Sequence, residues 1–116
     1  MEFNETTPIY KQIIDYCFRC ISSGMWREEQ RIPSVREMAV ELTVNSHTVL
    51  KAYEHLQNHG IIAPRRGMGF YLEPDARQRV DMMRREEFFD TELPQLFSTM
   101  RMLDIDIDDI IPLWHK

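Results

Sequence analysis

Residues 33–56 read PSVREMAVELTVNSHTVLKAYEHL, and this stretch decides the fold. Ser34 is followed three residues later by Glu37, the reciprocal capping pair that opens a helix. Val35, Met38, Ala39 and Leu42 then recur at helical spacing and make one apolar face. Thr43-Val44-Asn45 is a short turn, with Val44 expected inside. Beyond it Val49, Ala52, Tyr53 and Leu56 give a second helix a single buried face. Two helices joined by three residues form the helix-turn-helix plan. The second helix opens on Asn45, Ser46, His47 and Thr48, none of which the core requires. A helix enters the DNA major groove end-on when its first turn is free of packing duty. At 3.6 residues per turn, His47, Thr48 and Lys51 fall away from the apolar face. Asn45, Ser46 and Thr48 are short and polar, suited to base edges or phosphates, although Asn45 or Ser46 also has to cap the helix. Lys51 suits a phosphate or a guanine. Arg36, two residues past the Ser34 cap, lies on the helix that crosses the phosphate backbone in this plan.

Upstream, Thr7-Pro8 opens a helix that runs to about Ser23 and stops at Gly24. Ile9, Ile13, Cys17, Cys20 and Ile21 form its apolar stripe. Cys17 and Cys20 make a C-x-x-C pair, but no second ligand pair exists at zinc spacing, so packing is the expected role. The connection MWREEQRIP follows, with Trp26 and Ile32 expected in the core. Downstream, Gly67-Met68-Gly69 turns between Ile61-Ile62 and Phe70-Tyr71-Leu72, which predicts a β-hairpin with Pro64 confining the first run to a sheet edge. Arg65, Arg66 and Gly67 occupy its tip. Adjacent arginines on a glycine-flexed turn suit a minor groove or a phosphate.

Pro74 marks a boundary. Residues 1–74 carry 8 Lys/Arg against 9 Asp/Glu, and residues 75–116 carry 6 against 10, within a total of −5. The acidity is concentrated in the tail, and local patches govern phosphate contact more than the total does. The tail is expected to hold two helices. One carries Ala76, Val80 and Met83, and the other starts near Leu93-Pro94 and carries Leu96, Phe97, Met100 and Leu103. Two short helices with Met82, Phe88, Phe89 and Met102 as well cannot bury such a surface alone, which predicts pairing with a second copy. DIDIDD at 104–109 fails as a calcium loop, since Asp109 and His115 stand where glycine and glutamate are required. Asp106 with Asp109 instead predicts the start of a final helix. A paired nucleophile and base and a Gly-rich phosphate loop are both lacking, so no enzyme is expected. No metal or cofactor is expected either. His55 and His59 lie four apart on one helix with nothing to complete a metal site.

The segment RIPSVREMAVELTVNSHTVLKAYEHLQNHGIIAPRRGMGFYL resembles the DNA-binding domain of the GntR family of bacterial transcription regulators. Pro33-Ser34-x-Arg36, Val44-Asn45, Thr48-Val49, Lys51-Ala52-Tyr53, Gly60 and Gly67-x-Gly69 carry the resemblance, over about residues 7–73. It implies that Ser34, Arg36, the α-helical tip Asn45–Thr48 with Lys51, and the hairpin tip Arg65–Gly67 contact DNA. Family members usually have Pro-Gly ahead of Leu-Pro-Ser, where this chain has Glu28-Glu29 and Ile32. Many carry arginine at the positions of Ser46 and Leu50, so the operator read here is expected to differ, with His47 and Lys51 taking over part of that role. The 42 residues after Pro74 are too few for the family's usual effector domain and resemble the reduced dimerisation tail of the YtrA subfamily.

The expectation is a mainly α protein with a small β-hairpin: a winged helix-turn-helix over 1–74 and a helical dimerisation tail over 75–116. Val80, Met83, Phe88, Phe89, Leu96, Phe97, Met100 and Leu103 would form the dimer face. The chain would be a cytoplasmic homodimeric repressor binding a two-fold related double-stranded operator, without a membrane segment or an identifiable effector. The competing expectations are a winged-helix protein-interaction module and a ligand- or metal-responsive sensor.

Overall fold

The structure, a computed structural model, describes residues 2–115. It divides into two compact units, the first ending at Asp81 and the second starting at Met82.

In the first unit α1 spans Ile9–Ser22. The expected Thr7 cap is not used; Pro8 is the N-cap and has no side chain to offer. Asn4 organises the approach instead. Its Oδ1 accepts from the Thr6 and Thr7 N–H groups, while Gln12, buried on α1, donates to the Asn4 and Thr7 carbonyls. Ile13, Cys17, Cys20 and Ile21 are buried as their spacing predicts, and Ile9, the first residue of the helix, is exposed. Helix α2 spans Val35–Leu42 and α3 spans Ser46–Asn58. The turn between them places Thr43 in the left-handed region at φ 57°, a conformation that costs a β-branched residue roughly 1–3 kcal/mol. Val44 is half-buried rather than enclosed.

Val49, Ala52, Tyr53 and Leu56 of α3 are fully buried beside Ile13, Ile21, Met38 and Ile61. This apolar face pins α3 between α1 and α2 and leaves its first turn outside. Strands β1 (Ile62–Arg65) and β2 (Gly69–Leu72) pair antiparallel with Ala63 opposite Tyr71. The 29–32 segment adds a third, short edge. The Ile32 N–H donates to the Phe70 carbonyl, the Leu72 N–H to the Gln30 carbonyl, and Arg31 bridges to Tyr71. Trp26 and Ile32 are buried, as expected.

Helix α4 spans Ala76–Glu87. Ala76 and Val80 are fully buried with the first unit, and the Ser22 hydroxyl donates to Asp81. This corrects one expectation: Val80 is a core residue of the winged unit and cannot also face a second copy. The expectation of two separate helices over this part of the tail is corrected as well. The backbone stays helical through a π-turn at Phe88–Glu92 into α5 (Leu93–Met102), so no loop separates the two segments. In the second unit Met100 is buried, and it too is removed from an exposed dimer face. Helix α6 spans Ile107–Trp114 and starts on the Asp106–Asp109 capping pair read from the sequence. No helix among the described residues is long and apolar enough to cross a membrane.

Candidate nucleic-acid interface

The tip of α3 is built by one side chain. Asn45 is its N-cap, and its Oδ1 accepts from the His47 N–H at 2.7 Å. Capping therefore occupies the Asn45 oxygen and leaves its amide NH2 for a ligand. Ser46, His47 and Lys51 are exposed and Thr48 is half-buried. Leu50, also exposed, follows His47 by one turn and offers an apolar surface of the kind that packs on a thymine methyl.

The start of α2 is held by a denser set of bonds. The Ser34 Oγ accepts from the Glu37 N–H, and the Glu37 carboxylate accepts from the Ser34 N–H. The same carboxylate takes the Arg31 guanidinium at 2.8 Å. The Ser34 N–H, with the Ser34 hydroxyl and Arg31 behind it, holds the Glu37 carboxyl below its ordinary value. Ser34 is half-buried at this tip, and Arg36 is exposed two residues on. The register between α2 and α3 is fixed by Tyr53, whose buried hydroxyl donates to the Pro33 carbonyl at 2.6 Å. Burial pushes that phenol upward, so it remains a donor.

At the wing tip Arg65, Arg66 and Gly67 are exposed. The Met68 N–H donates to the Arg65 carbonyl, and Gly67 takes φ 72°, which a side chain would resist. Gly69 takes φ 97°, which a side chain would also resist, and it lies against Arg31: a Cβ there would come within 3.3 Å of Arg31 Nε. Arg31 thus touches both the wing and the α2 cap.

Two of the basic residues do not extend freely. Lys51 Nζ sits 4.0 Å from the centre of the Tyr10 ring, and Arg65 Cζ sits 4.0 Å from that of Tyr71. Sequence reasoning missed both tyrosines. Tyr10 lies on α1 and no local pattern links it to Lys51. Tyr71 was accessible from hairpin register, because it opposes Ala63 and so shares a face with Arg65, two residues on.

The remaining chemistry candidates are accounted for locally. Cys17 and Cys20 are free thiols in the core, and burial pushes both upward, away from the reactive thiolate. His55 and His59 stack with ring centres 4.3 Å apart, and His59 Nδ1 lies 2.8 Å from the His55 carbonyl. Among the described residues no three His, Cys, Asp or Glu side chains gather as a metal site would require.

This architecture has relatives. Residues 9–72 match the bacterial regulatory proteins of the gntR family. The chain belongs to the gntR family. It is 40% identical over 72 residues to the HTH-type transcriptional repressor YtrA of Bacillus subtilis, covering 62% of this chain and 55% of that protein. With the B. subtilis regulator YhcF it shares 35% identity over 75 residues, 65% of this chain and 62% of that one. The matched region thus spans little more than half of these relatives. Among solved structures, a GntR family transcriptional regulator from Listeria monocytogenes superposes with a TM-score of 0.80 at 33% identity over 97% of both chains. The DNA-binding domain of AraR in complex with operator ORR3 matches 62% of this chain and 87% of its own, at TM-score 0.56 and 25% identity. The gntR relatives named here are transcription regulators, and the winged helix-turn-helix expected from the sequence is the fold they share.

Proposed function

We propose that this gntR-family chain is a sequence-specific DNA-binding repressor that occupies a two-fold related operator as a homodimer. The observation that carries the reading is the tip of α3. The helix is pinned by four fully buried residues, while Ser46, His47 and Lys51 stand exposed on its first turns. Arg36 and the Arg65–Arg66 wing supply phosphate contacts on either side of it in the chain. The repressor assignment is supported by the names of YtrA and of the arabinose metabolism transcriptional repressor of Geobacillus stearothermophilus, which is 30% identical over 78 residues. The dimer is supported by Phe88, Phe89, Leu96 and Leu103 in the second unit, all exposed, with Met83 and Phe97 half-buried beside them in sequence. The cytoplasm is the compartment this function requires.

The test is fluorescence anisotropy of a labelled duplex from the DNA upstream of the gene, against a scrambled duplex of equal length. Tight binding to the first and at least tenfold weaker binding to the second at fixed salt is the expected result. Footprinting should then reveal two half-sites about one helical turn or a multiple apart. Equal, weak binding to both duplexes at low salt would refute sequence-specific recognition and leave a protein-interaction module as the better reading.

A further inference from the structure

Away from the DNA-facing tip, the first unit contains a recess of about 320 Å³, the lower end of the range that small-molecule sites occupy. Ile21 at the end of α1 and Leu72 at the end of β2 are both buried and form apolar wall. Trp26 lies between them in the connection and is only 9% exposed. Gly24 completes that side, and a Cβ there would meet nothing within 4 Å, so the wall is open at this point. Arg27, Glu28 and Arg77 supply the charge.

Two features distinguish this recess from a surface dimple. The first is the indole N–H of Trp26. A tryptophan this buried ordinarily gives its N–H to an acceptor. No described residue accepts it, yet among the described residues no polar side-chain atom is both enclosed and unpartnered, so the N–H reaches solvent from within a buried ring. The second is the pair of guanidinium groups. Neither Arg27 nor Arg77 has an ion-pair partner among the described residues, although Glu28 borders the same recess. The lining carries two cations against one carboxylate, with three donor groups and an apolar floor.

We propose that this recess binds a small amphipathic anion: a planar apolar body set against Ile21, Trp26 and Leu72, with a carboxylate held by Arg27 and Arg77. The Trp26 N–H donates to a polar atom on the body or to the carboxylate itself. Arginine forks match a carboxylate in two parallel bonds, which gives the site its preference for that head group. Arg77 belongs to the first turn of α4, so an occupant joins the root of that helix to the connection after α1. The proposal stands independently of DNA binding and is tested without DNA.

The experiment uses the full chain labelled with 15N and follows its two indole N–H signals, with Trp114→Phe to assign them. The probes are 2-naphthoate and its neutral analogue 2-naphthamide. Naphthoate should shift the Trp26 signal saturably and leave Trp114 unmoved, and the amide should bind more weakly. Arg27→Gln and Arg77→Gln should each weaken naphthoate by about three- to tenfold, as expected for loss of a solvent-exposed charge-assisted bond. Glu28→Gln should strengthen it. Both arginines are exposed, so these variants keep the fold, which the remaining spectrum verifies. Absence of a shift at the solubility limit, a linear shift without saturation, equal movement of both indoles, or equal binding of acid and amide would each overturn the proposal.

Discussion

Replacing Tyr71 by leucine separates two contributions of the wing that an arginine substitution removes together. Arg65 lies with its guanidinium carbon 4.0 Å from the Tyr71 ring centre. A guanidinium stacked on its face keeps its N–H groups at the edge, free for a phosphate. The tyrosine therefore holds the arginine close to a binding posture and reduces the rotamer freedom lost on contact. An exposed cation–π contact is worth about 0.5–1 kcal/mol, so losing it should weaken DNA binding by about two- to fivefold. Charge is unchanged in Tyr71→Leu, so the slope of log affinity against log salt should stay where it is. Arg65→Ala should lower that slope by about 0.9, the value of one phosphate released from its counterion. Tyr71→Phe keeps the ring and should match the parent. Leucine retains the backbone pairing of Tyr71 with Ala63 and the bridge to Arg31. Anisotropy titrations at four or five salt concentrations measure both quantities at once. A slope that falls in Tyr71→Leu as it does in Arg65→Ala would show that the arginine loses its phosphate contact altogether without the ring, against the reasoning that the ring only prepares it. Full affinity in Tyr71→Leu, alongside a loss in Arg65→Ala, would show that stacking does not prepare the arginine.

The other predictions address the recognition helix, the tail, the turn and pH. His47→Ala and Lys51→Ala should shrink the difference between operator and scrambled DNA, each by about 1–3 kcal/mol against the preferred base, while Arg36→Ala weakens both duplexes alike; paired titrations would reject this division if Arg36→Ala alone collapses discrimination. The full chain should be a dimer and a chain ending at Asp81 a monomer by light scattering, the cut retaining the buried Ala76 and Val80; two monomers at micromolar concentration would remove the dimer. Thr43→Asn should raise the urea midpoint by the equivalent of about 0.5–1 kcal/mol, since asparagine tolerates φ 57° better than threonine; an unchanged or lower midpoint would show that the turn is not strained. Burial, with His59 second, lowers the pKa of His55 below its ordinary 6.5, so the unfolded chain takes up the proton first as pH falls. That contribution is fully present above the unfolded value and lost as pH drops through it toward the folded one, and His55→Gln should flatten the stability profile between pH 7 and 5.

The parts that were legible in the sequence are those set by near neighbours. Ser34 and Glu37 announce their capping box at a spacing of three, and the buried and exposed faces of α3 follow from 3.6-residue periodicity. What was not legible depends on residues distant in sequence. Tyr10 finds Lys51 only when α1 packs beside α3, and Arg31 joins wing to cap only once the 29–32 segment lies along β2. The tail misled for a different reason. Pro94 reads as the start of a new helix, because it has no N–H for the Asp90 carbonyl and its ring crowds that carbonyl. The π-turn at Phe88–Glu92 widens the backbone just ahead of it, so the helical course continues where a loop was expected. Val80 was misplaced because the opening turns of α4 belong to the first unit, where Ala76 and Val80 are buried, ahead of the division at Asp81.

Net charge poses a problem that the cation–π pairs help to resolve. A chain of −5 gains no long-range attraction to DNA, and a surface charge is screened beyond about 8 Å at physiological salt in any case. Affinity must then come from a few short contacts. Arg36, Lys51, Arg65 and Arg66 are the cations available on the three candidate elements, and two of them are already held over tyrosine rings at 4.0 Å. Holding them in place lowers the entropy lost when a phosphate or base arrives. It also penalises any DNA whose acceptors lie elsewhere, because Lys51 and Arg65 must leave their rings to reach it. With little non-specific attraction to overcome, the same geometry that strengthens the matching site weakens the mismatched one. Discrimination then rests on where the cations are held rather than on how many there are.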